Sequence, residues 1–104
     1  MPFSQLIPQP LTMTMVYAQA PAVSGIYGLS NSREWIYIGE TANIRGALLA
    51  HLQDSHASIM QRQPTGFVFE ACDQMRRCAR QDRLVQEYEP TCNRGSMGSS
   101  AARK

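Results

Sequence analysis

A chain of 104 residues with 43% hydrophobic side chains can bury one modest core, so a single domain is expected, without metal or disulfide staples. The formal charge of +2 belongs to the tail: Arg94, Arg103 and Lys104 follow Asn93, while residues 1–93 set seven arginines against eight acids, a net of −1, which excludes a general polyanion binder. No apolar run approaches the ~18 to 20 residues of a membrane span, and no basic segment followed by an apolar one opens the chain, so a cytoplasmic protein with no membrane partner is expected. Cys72, Cys78 and Cys92 are odd in number and lack the paired spacings of zinc sites, which predicts reduced, half-buried thiols.

Pro2, Pro8, Pro10 and Pro21 predict an irregular lead-in over residues 1–20, with Met13 to Tyr17 as an edge strand. Gly25 to Leu29 and Trp35 to Gly39 are aromatic and β-branched and flank the polar cluster Ser30 to Glu34, the signature of a β-hairpin. Ile44, Leu48 and Leu52 then recur four apart, with Leu49 widening the stripe, which predicts a helix capped by Asn43 or Thr41 and ending near Asp54. A polar link, Gln61 to Thr65, leads to a third strand over Gly66 to Ala71. From Asp73, a plausible N-cap, to Tyr88 there is neither Gly nor Pro, and a second helix is expected, stopped by Pro90. Its apolar side is read as Met75, Cys78, Ala79, Leu84, Val85 and Tyr88, with Arg76, Arg77, Arg80 and Arg83 outside. Residues 94–104 are rich in Gly, Ser and Ala and are expected to be disordered. The result is an α+β domain over residues 21–93, a three-stranded antiparallel sheet flanked by helices.

Gly25-Ile26-Tyr27 opens the first strand of the hairpin and Tyr37-Ile38-Gly39 closes the second, and Ala42-Asn43-Ile44, Leu84-Val85, Tyr88, Pro90 and Asn93 follow in order. This series resembles the GIY-YIG domain of UvrC-type excision nucleases and of homing and restriction endonucleases, over Ser24 to Asn93, about two thirds of the chain. The resemblance implies a metal-dependent endonuclease site. Phosphodiester hydrolysis needs a base for water, a divalent cation and a positive side chain at the phosphate. It assigns Tyr27 and Tyr37 to that site, one of them as base, with Gly39 allowing close backbone approach and His51 facing the scissile phosphate. His51 lies four residues from Ala47 on the same helix face. Gly39, Asn43, Gln81 and Asn93 are its expected binding and supporting residues.

Two positions depart from the family. Its arginine, ten positions after the second tyrosine, is Ala47 here, and Arg45 stands about 200° away around the helix. Its metal-binding glutamate, twelve positions before the closing asparagine, is Gln81, a neutral amide unsuited to Mg²⁺. Gln81 is expected to look into the tyrosine pocket and bond Tyr27, Tyr37 or Asn93.

The bland readings of the remaining features are a chance polar surface for His51, Asp54 and His56, a solvated helix face for the four arginines, and a packing anchor for Trp35. The expected function is therefore a nuclease-like domain with impaired cleavage, a pseudoenzyme acting as a binding or interaction module. It needs no cofactor as it stands and meets DNA weakly. The alternative is an active DNA endonuclease using Mg²⁺ or Mn²⁺, with Arg45 replacing the lost arginine and Asp82 or Glu87 holding the ion. A third possibility is a homo-oligomer formed through an edge strand or an aromatic patch of Trp35, Phe67 and Phe69.

Overall fold

The β-branched and aromatic runs on either side of the 31–34 turn pair as the sequence predicts, giving β2 (Gly25–Ser30) and β3 (Trp35–Thr41). The computed structural model describes residues 8–54 and 58–92. Asn31 holds the turn: its Oδ1 accepts from the backbone N–H of Arg33 and Glu34, and its Nδ2 donates to the Arg62 carbonyl. The third expected strand is present as β4 (Gly66–Ala71), antiparallel to β2 in the register Tyr27↔Phe69. The sheet is antiparallel but has four strands, because β1 (Gln9–Pro10) adds to the outer edge of β4, giving the order β1-β4-β2-β3.

From residue 8 onward the lead-in is more ordered than the prolines suggest. Met13–Gln19, expected as a strand at its start, is helix α1. All four prolines lie outside it, where they cannot break its ladder, and the Thr12 side chain caps it by accepting from the Met15 N–H. Val16 and Ala20, four apart, point inward and are fully buried. Helix α2 (Ile44–Gln53) runs as predicted, with Asn43 as its N-cap and Asp54 as its C-cap. A short α3 (Ser58–Gln61), not foreseen, precedes the link to β4. Helix α4 (Gln74–Tyr88) starts at the predicted cap Asp73 and ends at Glu89, which takes a left-handed φ of 51°.

Alternation along the strands splits the core into two layers. Tyr27, Leu29 and Phe67 face α1 and α2, packing with Val16, Ile44 and Leu48. Ile26, Ile38 and Val68 face α4, packing with Leu84 and Val85. The first half of α4 departs from its predicted polarity. Met75 is 93% exposed, while Arg77 and Arg80 lie inward with side chains only 16% and 18% exposed. Glu40 and Glu70, on the α4 face of the sheet, neutralise them. Cys72 and Cys92 are partly buried as expected, Cys78 is exposed, and all three are free thiols. No helix among the described residues is long and apolar enough to cross a membrane.

Candidate active site

Tyr27 lies directly opposite Gly39 in the β2–β3 ladder, and Tyr37 is two residues before Gly39, so the two tyrosines meet diagonally on the α2 face. Their ring centroids are 6.0 Å apart. A Cβ at position 39 would stand 2.7 Å from Tyr37 Cε2 and 2.8 Å from the Tyr27 hydroxyl, so the glycine makes room for both rings. His51, one turn beyond Ala47 on α2, completes the triangle with centroid distances of 5.5 Å to Tyr27 and 5.8 Å to Tyr37. Its Nε2 is 2.8 Å from the Tyr27 hydroxyl, and the tautomer decides which of the two donates.

All three groups are held neutral. Burial, and then the neighbouring Tyr37, raises the Tyr27 hydroxyl well above the usual phenol range. Tyr37 is raised by burial first, then by Cys92 and Glu40. Burial lowers His51, against a small opposing pull from Asp54. At pH 7 the site therefore presents two phenols and an uncharged imidazole. That set can pass a proton between Tyr27 and His51 and can hydrogen-bond a ligand, but it supplies no fixed charge.

The other expected site residues lie elsewhere or serve differently. Arg45 is turned toward α1: its Nε donates to the Ala20 carbonyl at 2.9 Å and its guanidinium sits 6.0 Å over the Tyr17 ring. The helical offset from Ala47 is the cause, and the side chain lies between α1 and α2. Ala47 is partly buried against the tyrosine layer. Asn43 spends its Oδ1 on the Gly46 N–H as the α2 cap. Asn93 and His56 lie outside the described residues.

Gln81 projects from α4 to the edge strand β3, where its Nε2 donates to the Ile38 carbonyl at 3.1 Å, next in sequence to Tyr37. Asp82 and Glu87 are exposed on the same helix. The sequence reading missed a polar network beside Gln81. Arg77 Nε is 3.2 Å from Glu40 Oε1, Arg77 Nη1 donates to Ser24 Oγ, and Ser24 donates to the Cys72 carbonyl. The signal was available: Arg77 precedes Gln81 by one helical turn, and Glu40 alternates with Gly39 onto the α4 face. The Arg77 Nε is buried without a well-aligned hydrogen bond, so it meets Glu40 as a charge and not as a linear donor. Among the described residues no three His, Cys, Asp or Glu side chains converge as a metal site requires.

The aromatic side chains of the expected patch are packed. Trp35 packs on Tyr88 at a centroid distance of 4.7 Å, Phe67 is fully buried and Phe69 stacks on it, so the expected aromatic patch is not exposed. On the edge strand β3, Gln81 engages Ile38, and the Thr91 hydroxyl lies 3.5 Å from the Trp35 carbonyl.

No protein-family model and no curated protein matches the chain. Solved structures do. The chain resembles the crystal structure of the GIY-YIG N-terminal endonuclease domain of UvrC from Thermotoga maritima bound to magnesium as its catalytic divalent cation. The TM-score is 0.64 at 17% identity, covering 76% of this chain and 92% of that one. Two tyrosine-to-phenylalanine point mutants of the same domain, also bound to the catalytic cation, match with a TM-score of 0.64 at 16% identity. At these identities the likeness establishes a GIY-YIG-like fold.

Proposed function

Given a GIY-YIG-like fold with its two motif tyrosines side by side, we propose that this chain is a nuclease-like domain whose phosphodiester cleavage is impaired and which acts as a nucleic-acid-binding or interaction module. The observation that carries this reading is the neutrality of the tyrosine pocket. Ala47 leaves it without a cation for the phosphate, Arg45 is bound to Ala20, and the Gln81 amide is hydrogen-bonded to Ile38 on the edge strand β3. A single missing electrostatic donor costs ~10²- to 10³-fold in rate.

The donor set does not fit a divalent cation. Mg²⁺ takes hard oxygen ligands with at least one carboxylate, and the two partly buried carboxylates of the α4 face, Glu40 and Glu70, are neutralised by Arg77 and Arg80. The phenols are raised above their ordinary range, so neither supplies a phenolate base at neutral pH. One observation favours the alternative of an active Mg²⁺- or Mn²⁺-dependent DNA endonuclease. In the tautomer that leaves His51 Nε2 unprotonated, the Tyr27–His51 contact gives the phenol a proton acceptor, the beginning of a general-base pair.

A cleavage assay on supercoiled and linear DNA and on RNA, with Mg²⁺ or Mn²⁺, separates the two readings. The pure chain is expected to leave every substrate intact, and the Ala47→Arg, Gln81→Glu double variant to gain any cleavage that is seen. Metal-dependent nicking by the unmodified chain, abolished in Tyr37→Phe, would establish the active endonuclease instead.

A further inference from the structure

Where β4 ends and α4 begins, an open cleft of about 580 Å³ lies away from the tyrosine pocket. Glu70, Cys72 and Asp73 line it together with Arg76, Arg80 and Arg83. The arginines recur at i, i+4 and i+7, one stripe along the helix that spans about 10 Å of its axis. Their states differ. Arg80 is committed: its Nε and Nη2 donate to Glu70 Oε2 and Oε1 at 2.6 and 2.8 Å. Arg76 has a side chain 82% exposed and only a 3.9 Å approach to Asp73, a surface pair of little energetic weight. Arg83 is exposed and has no carboxylate partner among the described residues.

A neutralised centre between two available guanidiniums does not suit a lone phosphate, which calls for donors that converge on one point. It suits an extended polyanion. Each strand of a duplex carries a phosphate about every 3.4 Å along the axis, so two cations about 10 Å apart meet phosphates of one backbone run. The rest of the body cannot supply such contacts diffusely, since residues 1–93 carry a net charge of −1.

We propose that the β4–α4 cleft is a contact site for the phosphate backbone of nucleic acid, with Arg76 and Arg83 as the contacting side chains and the Arg80–Glu70 pair as the rigid floor between them. The site is independent of the tyrosine pocket. It rests on the reading of the chain as a nucleic-acid-binding module and says where that binding occurs.

The test is fluorescence anisotropy of a labelled 20-base-pair DNA duplex, titrated with the full chain at several NaCl concentrations. It compares the unmodified protein with Arg76→Gln/Arg83→Gln and with the charge-matched control Arg33→Gln/Arg62→Gln, whose positions line the cleft by the hairpin turn. All three proteins keep the basic tail. Removing two phosphate contacts flattens the slope of log K against log[salt] by about 1.8, from about 0.9 per contact. That flattening is expected in the first variant, and the control is expected to keep the parent slope. Equal slopes and affinities in the two variants overturn the cleft while leaving the binding module standing. No salt-dependent binding by the unmodified chain overturns the module, and the cleft with it. Circular dichroism checks that the variants are folded, which the exposure of Arg76 and Arg83 favours.

Discussion

Gly39 has no Cβ, and the space this leaves is filled by two rings. The same position that resembles a family motif letter is, physically, the only residue type that lets Tyr27 and Tyr37 pack diagonally across β2 and β3. Gly39→Ala is therefore expected to lose about 1 to 3 kcal/mol of unfolding free energy, as overpacked sites do, read as a lower urea midpoint at constant m-value. It should also disturb the Tyr27–His51 hydrogen bond, because the added methyl stands against the Tyr27 hydroxyl. This part of the site was legible in the sequence. Strand alternation fixes which residues of β2 and β3 share a face, and helical periodicity places His51 one turn from Ala47. Both are short-range rules. The partner of Gln81 was not legible, because it depends on which face of the sheet α4 covers, and no local spacing states that.

At the scale of elements, α1 and α4 carry the lessons. Proline density argued against order before Pro21, yet prolines end elements as readily as they exclude them, and the seven residues between Thr12 and Ala20 form a capped helix. Its burial gives a direct check. Val16 is fully buried against the tyrosine layer, whereas Met13 on the same helix is 49% exposed. Val16→Ala is expected to cost about 2 kcal/mol, from two lost methyl groups and the cavity they leave, and Met13→Ala less than about 0.5 kcal/mol, both by urea denaturation. In α4 the apolar stripe was placed correctly at Leu84, Val85 and Tyr88 but extended too far toward the N-terminus. There the sheet offers Glu40 and Glu70, and arginines turn inward to meet them. Ion pairing between distant strands and a helix overrides the hydrophobic period, and the sequence shows the charges without showing that they meet.

For the whole molecule, one sheet with a helical layer on each face separates the neutral tyrosine pocket from the charged α4 side, and its stability should register the buried imidazole. Folding lowers the His51 pKa, so the unfolded chain takes up the proton first as pH falls. Stability contributed by keeping His51 neutral is present above the ordinary histidine value of about 6.5 and is lost below it. The urea midpoint is expected to drop between pH 8 and pH 5, and His51→Gln to make that drop smaller; an identical drop in both proteins would remove His51 from the account.

The hydrogen bond from Gln81 to Ile38 ties the middle of α4 to the edge strand β3. A glutamate in that rotamer would set a carboxylate against a carbonyl oxygen. The amide that leaves position 81 without a charge is thus also a clasp between helix and sheet, and exchanging it for a carboxylate would loosen that seam.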